Sequence, residues 1–390
     1  MMNSKHAAFI YTDDFLRYSF HEEHPFNQNR LLLTKDLLVM SKSLSEKQII
    51  APQLMEEEYV LSVHSKDYIE AVKQASEGKR IDPHKYGIGT HDTPSFSNMY
   101  EASLMTVSGS LEACSQVLSG KVKHALNLAG GLHHGFPTRA SGFCIFNDIA
   151  ITIKYIRDHY NLKVLYIDTD AHHGDGVQHC FYDDPNVCTV SFHETGRYLY
   201  PGTGKTSERG VKDGFGYSFN FPLDAFTEDD SYLEVFKNSL EEITAYFQPD
   251  IIVSQHGVDA HALDPLTHLH CTLDIFEQIP VIIHNLAHQY CNGKWVALGG
   301  GGYDIWKVVP RAWSQLWKVM TEENAIFQGS ITKDWLNKWE PLSPVALPTS
   351  WQDSETFYRD IPRRAEISEN NKKMYKQVLK FIENKKGDKT

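Results

Sequence analysis

Asp168, Asp170 and His172 stand at alternate positions in the segment DTDAHHGDG. Alternate residues of an extended chain point the same way, so this spacing puts three potential metal ligands on one side. Asp259, in QHGVDAHALDP, leaves a different apolar run and offers another carboxylate. Two carboxylates and one imidazole with a fourth position open describe a catalytic zinc site rather than a structural one. His133 and His134 follow Gly130 and Gly131 in AGGLHHG, where the backbone can turn sharply and present both rings together. Paired imidazoles beside a metal suit general base and acid work near neutral pH. Each needs an orienting carboxylate, and Asp168 and Asp175 are available. GGGGY, residues 299–303, completes the set: the glycines allow close backbone approach, and Tyr303 can direct a phenol at a developing oxyanion. Together these groups point to amide hydrolysis.

Each cluster ends an apolar run. Eight such runs read as strands: 6–12, 48–52, 124–130, 164–170, 187–193, 217–223, 251–257 and 295–301. Several are apolar almost throughout, as strands buried on both faces of a parallel sheet are. Between them lie helical stretches, one starting after a Ser97 cap and stopped by Gly120, others at 146–160, 229–247 and 272–290. The alternation predicts one α/β domain, a mainly parallel eight-stranded sheet flanked by helices on both faces. Ligands of open α/β sheets bind outside the carboxyl ends of the strands, where four runs end in polar or glycine-rich clusters: 129–135, 168–176, 255–265 and 298–304. Helix capping accounts for any one Asp or His, but does not require four clusters at four strand ends. The catalytic domain is expected over 1–320. Residues 321–390, polar, Trp-containing and finally Lys/Glu-rich, read as an extension packed on the core with a frayed end.

Net charge is −12, from 38 basic and 50 acidic residues, which disfavours nucleic acid and anionic membranes as partners. The six cysteines, Cys114, Cys144, Cys180, Cys188, Cys271 and Cys291, show no CxxC spacing and read as small buried residues in a reducing compartment. The start, MMNSKHAAFIYTDD, lacks the apolar core of a signal peptide, the end lacks a lipidation or retention signal, and no apolar run spans a membrane. A cytoplasmic location is expected.

NLAGGLHHG, SGFCIFNDIA, YIDTDAHHGDGV, QHGVDAHALDP and LGGGGY, in this order and spacing, resemble the histone deacetylase family of the arginase/deacetylase fold from about residue 20 to 320. HPFNQNR and the polar tail are most similar to the bacterial acetoin utilization deacetylases. The resemblance implies Asp170, His172 and Asp259 as ligands of zinc or Fe2+. It makes His133 and His134 the base and acid, partnered by Asp168 and Asp175, and gives Tyr303 the oxyanion. Gly142, Phe143, Tyr200 and Leu266 match the walls of an acyl-lysine channel, Asp92 in GTHDTP matches a rim aspartate that holds substrate backbone, and Arg30 matches an arginine of an inner acetate channel. The family also binds K+: the resemblance implies one site at Asp168, Asp170, His172, Ser191 and Phe192, and part of another at Phe181, Val187 and Tyr217. Thr93 stands where the eukaryotic family usually has Cys, Tyr200 where Phe is common, and Leu266 where Met is frequent. These departures bear on acyl and peptide preference, not on the metal.

The implied reaction is hydrolysis of acetylated lysine in a protein, linked to acetoin or butanediol catabolism, with a metabolic enzyme such as acetyl-CoA synthetase as target. Acetylpolyamines or other small amides are alternative substrates. A binuclear manganese ureohydrolase of the same fold would carry carboxylates two residues after the DxH histidine and two before the later aspartate, where this chain has Gly174 and Gly257. A non-catalytic, ligand-sensing relative would be expected to have lost a ligand, a histidine or the tyrosine, and all are present.

Overall fold

The computed structural model describes residues 7–321, 327–354, 358 and 360–387. Every one of the eight apolar runs contains a strand: β1 (Ala7–Ile10), β2 (Ile49–Ile50), β3 (His124–Asn127), β4 (Val164–Asp168), β5 (Val187–Glu194), β6 (Ser218–Leu223), β7 (Ile251–Gln255) and β8 (Trp295–Leu298). They form one sheet in the order β2-β1-β3-β8-β7-β4-β5-β6, and every pairing is parallel. All residues of β3, β4, β5, β7 and β8 are buried, which accounts for the apolar residues that dominate β4, β7 and β8.

The helices are α1 (Asn29–Met40), α2 (Glu57–Leu61), α3 (Lys66–Ser76), α4 (Pro83–Tyr86), α5 (Met99–Leu118) and α6 (Asp148–Tyr160). After these come α7 (Asp175–Cys180), α8 (Asp229–Phe247), α9 (Leu273–Tyr290), α10 (Val309–Met320), α11 (Lys333–Trp339) and α12 (Arg364–Gly387). They pack in two groups, α5 with α6 and α3, and the row α1-α10-α9-α8-α12, both of which reach the sheet. The Ser97 cap is a correction: α5 starts at Met99 behind Asn98, whose φ of 58° is left-handed and whose side chain makes no cap bond. Asn tolerates that conformation better than most L-residues, so the chain turns into the helix one residue later than Ser97 suggests.

Sheet order explains the four clusters. They follow β3, β8, β7 and β4, the four central strands, which are consecutive neighbours. Asn127 pairs with Leu298, Leu298 with Gln255, and Gln255 with Asp168, so the four strands end at one level and release their loops side by side. Residues far apart in sequence thus share one sheet edge.

The segment after residue 320 shares the core. Trp335 and Trp339 of α11 cluster with Leu33 and Leu37 of α1, Ile305 and Trp351, and the Trp335 indole donates to the Leu33 carbonyl at 3.0 Å. Tyr375, Val378 and Ile382 of α12 belong to the main hydrophobic core. Residues 388–390, where fraying was expected, lie outside the described residues. All six cysteines are free; five are buried and Cys180 is half-buried. Among the described residues no helix is long and apolar enough to cross a membrane.

Candidate active site

The turn after β3 is set by α6. Asp148, in the first turn of α6 and fully buried, accepts from the Leu132 and Gly131 amides at 2.8 and 3.1 Å and from the Ser110 hydroxyl at 2.5 Å. Its neighbour Asn147 caps α6 through the Ala150 amide (2.8 Å) and donates to the carbonyls of Gly135 and His133 at 2.9 and 3.3 Å. Gly131 makes the turn with φ at 95°, and a Cβ there would lie 2.3 Å from the Gly299 carbonyl oxygen, so only glycine fits. Asn147 and Asp148 went unassigned in the sequence. The signal for them was FNDIA, a cap pair directly ahead of a helix.

This loop delivers two buried rings. His133 Nδ1 faces Asp168 Oδ2 at 2.8 Å, and His134 Nδ1 faces Asp175 Oδ1 at 2.7 Å. The two Nε2 atoms are 3.1 Å apart. With each Nδ1 donating to a carboxylate, that contact is a hydrogen bond only when one proton lies between the rings. Burial opposes charge on His133, but Asp168 and Asp170 outweigh it and raise its pKa to about 9. Burial and the neighbouring His133 charge lower that of His134. The environments of the two rings differ in the sense an acid and a base require.

Asp170, His172 and Asp259 converge, with one potential ligand atom from each within 4.8 Å of the others. His172 Nδ1 is 3.0 Å from Asp170 Oδ1 and 3.0 Å from Asp259 Oδ2. Left to protons alone, the trio is poorly balanced. Burial and the Asp170 charge push Asp259 up to about 6. Burial disfavours a charged His172, yet both carboxylates hold it protonated well above its usual range. Two buried carboxylates sharing one imidazole therefore fit a divalent cation. Outer bonds fix the candidate ligands: Asp170 Oδ2 accepts from Gln255 Nε2 at 2.6 Å and from the Gly301 amide at 2.7 Å, and Asp259 Oδ1 accepts from the Ala171 amide at 2.8 Å. Gln255 is a further residue sequence reasoning missed. It ends β7 beside Asp168, and its position in the run preceding Asp259 was the available signal.

Where a binuclear enzyme needs further carboxylates, this chain has no room. A Cβ on Gly174 would lie 2.1 Å from Asp168 Oδ2, and one on Gly257 would lie 2.4 Å from Asp170 Oδ2. Gly257→Ala is accordingly expected to displace Asp170 and weaken metal binding by at least about tenfold, the scale of a lost outer contact. Competition with a chromogenic chelator reads this, and an unchanged affinity would refute the steric account.

Tyr303 lies close enough to the same centre to feel the charges of Asp259 and Asp170. Its amide donates to Asp264 Oδ2 at 2.8 Å, while the Leu266 amide donates to Asp264 Oδ1 at 3.0 Å. Asp264, also missed, thus joins Tyr303 to Leu266. Burial and the charges of Asp259 and Asp170 hold the Tyr303 phenol well above its ordinary pKa, so it keeps its proton as a donor. Phe143 packs edge-on against the Tyr303 ring at 5.9 Å, and Tyr200 edge-on against His134 at 5.1 Å. A Cβ on Gly142 would lie 2.3 Å from His134 Cδ2. Exposed Asp92 accepts from the Gly142 amide at 3.0 Å, at the outer end of this set. Arg30, fully buried, reaches the glycine loop from α1, with Nη1 donating to the Gly300 and Gly302 carbonyls at 2.8 and 3.1 Å.

The residues matched to K+ sites fall in two places. Asp168 pairs with Ser191 across β4 and β5, which gathers Asp168, Asp170, His172, Ser191 and Phe192 around the loop after β4; the Ser191 hydroxyl also meets His193 Nδ1 at 2.8 Å. Phe181 follows α7, Val187 opens β5 and Tyr217 precedes β6, its carbonyl accepting from the Thr189 amide at 2.9 Å. The second set therefore lies at the amino ends of the strands, away from the first.

Comparison with known proteins agrees with this geometry. Residues 24–320 match the histone deacetylase domain. The chain is 55% identical to the acetoin utilization protein AcuC of Bacillus subtilis over 379 residues, 96% of this chain and 97% of the relative. It is 47% identical to AcuC of Staphylococcus xylosus, covering 97% and 98%. Among solved structures it is similar to a histone deacetylase homologue from Aquifex aeolicus (TM-score 0.81, 29% identity, 94% of this chain and 100% of that one). A histone deacetylase homologue complexed with SAHA gives a TM-score of 0.82 at 29% identity, covering 95% and 100%. The chain belongs to the histone deacetylase family and is a metal-dependent deacetylase close to the acetoin utilization proteins.

Proposed function

We propose that the protein is a cytoplasmic zinc-dependent lysine deacetylase that hydrolyses N-acetyl-lysine in a protein substrate to lysine and acetate. The observation that carries this reading is the Nε2–Nε2 contact of His133 and His134 beside the Asp170, His172, Asp259 trio. When bound, the ion supplies a Lewis acid that polarises the amide carbonyl and acidifies water. Zinc suits the two carboxylates and one imidazole, with Fe2+ as the alternative ion.

His134, the neutral ring facing the channel, accepts the proton of the attacking water. His133, held charged by Asp168, supports the negative charge that develops, and the pair returns one proton to the leaving amine. Tyr303 donates to the oxyanion. Water thus adds its hydroxyl to the acyl carbon and its proton to the lysine nitrogen as the C–N bond breaks. Phe143, Tyr200, Gly142 and Leu266 enclose the apolar lysine stem, and Asp92 holds the peptide backbone at the rim. Arg30 Nη2 is buried with no protein acceptor among the described residues, which suits an acetate leaving through the interior. The Asp168–Phe192 set would hold one K+ and the Phe181, Val187, Tyr217 set another.

The shared name of the Bacillus and Staphylococcus relatives supports a place beside acetoin or butanediol catabolism, with an acetylated metabolic enzyme such as acetyl-CoA synthetase as substrate. A fluorogenic acetyl-lysine peptide is expected to be cleaved, with turnover abolished by a chelator and restored by zinc. No cleavage of any acetyl-lysine peptide alongside hydrolysis of acetylated small amines would overturn the protein-substrate reading. In cells growing on acetoin, the same acetylation sites should accumulate in a deletion strain and a Tyr303→Phe strain.

A further inference from the structure

A second group of ligating side chains lies at the opposite end of the sheet. His284 and His288 are four apart on α9, so their rings share one helical face, 4.4 Å apart between centroids. His124 opens β3 beneath them, with centroid distances of 5.0 Å to His284 and 5.1 Å to His288. One ring nitrogen of each lies within 4.8 Å of the others, and the Nε2 atoms of His288 and His124 are 3.2 Å apart. Two nitrogens bound at roughly 2.0–2.1 Å to a tetrahedral ion stand about 3.3–3.4 Å apart, so this pair already has the separation of two ligands on one ion.

We propose that His124, His284 and His288 form a second transition-metal site that binds Zn2+, with Ni2+ and Cu2+ as competing ions. Three imidazoles with no carboxylate select these ions over Ca2+ and Mg2+. His288 is exposed and His284 half-buried, so the ion can enter from solvent and keep water as its fourth ligand. The site joins a helix to a central strand. His124 pairs with Trp295 at the start of β8, whereas the catalytic loops leave the other ends of these strands. Binding therefore raises the stability of the folded chain by mass action without touching the chemistry. It also means that two metals per chain do not indicate a binuclear catalytic centre.

The test uses untagged, zinc-loaded protein dialysed against Zn2+ buffered from nanomolar to micromolar. Wild type is expected to reach two equivalents per chain, and His288→Ala and His284→Ala one, with deacetylase turnover unchanged. Wild-type melting temperature should rise as the weaker site fills, and this second rise should vanish in both variants. A Co2+ titration gives an independent readout, because the visible absorption of the second equivalent should be absent in His288→Ala. One equivalent in wild type, or two in both variants, would overturn the proposal.

Discussion

Tyr303→Phe is expected to lower kcat by about 10²–10³, the cost of removing one oxyanion donor, while zinc content and KM change little. The substitution removes a single oxygen. The ring keeps its edge-on contact with Phe143, and the backbone stays fixed because the Tyr303 amide donates to Asp264. Phe143 and the candidate metal ligands therefore stay in place, and the loss is expected to fall on the step in which the carbonyl oxygen gains charge. Burial and the charges of Asp259 and Asp170 that raise the phenol's pKa keep it protonated, so no phenolate is present to act as a base and the lost function is donation alone. Steady-state kinetics with the acetyl-lysine peptide, beside metal analysis of the same sample, checks this. Undiminished turnover would remove Tyr303 from the reaction; turnover lost together with the metal would make its role structural.

Sheet and site were legible for different reasons. Strands buried on both faces are rich in apolar residues, so runs such as VLYID and IIVSQ announce themselves, and each of the eight runs holds strand residues. The candidate ligands stood out because polar residues at the ends of such runs have few structural uses, and the structure brings Asp170, His172 and Asp259 together. Helices were read less completely: α5, α6, α8 and α9 run 13–20 residues, whereas α1 carries a buried Arg30 and Asp36 that break its apolar pattern. Both have tertiary partners, Arg30 the glycine loop and Asp36 the Trp339 indole, which local pattern does not reveal.

Positioning residues were the least visible. Asp148, Gln255 and Asp264 act through backbone amides or through another carboxylate, and such bonds depend on which loops the sheet order brings together. Asp353 shows this most plainly. It lies in the tail, yet accepts from the Leu273 amide and Arg311 Nη2, each at 2.9 Å, and meets His261 Nε2 at 2.9 Å. His261 sits two residues beyond the candidate ligand Asp259, so the extension steadies that loop through contacts that no local pattern reveals.

Asp259→Ala and Gln255→Ala should separate ligand from support. Removing Asp259 deletes one of the three proposed ligands and the acceptor of the Ala171 amide, which would leave Asp170 and His172 to bind alone. Zinc is expected to be lost on dialysis and turnover with it. Gln255→Ala leaves all three ligands but removes the 2.6 Å bond that orients Asp170. Outer partners of this kind contribute about 10–100-fold in affinity, so this variant should bind zinc more weakly yet recover turnover when zinc is raised. Measuring both in the His288→Ala background confines the metal count to the catalytic centre. Full zinc retention by Asp259→Ala would refute the ligand set. An Asp259→Ala variant rescued by added zinc as readily as Gln255→Ala would demote Asp259 to a supporting role, because only a ligand gives the ion its site and an orienting partner merely sharpens it.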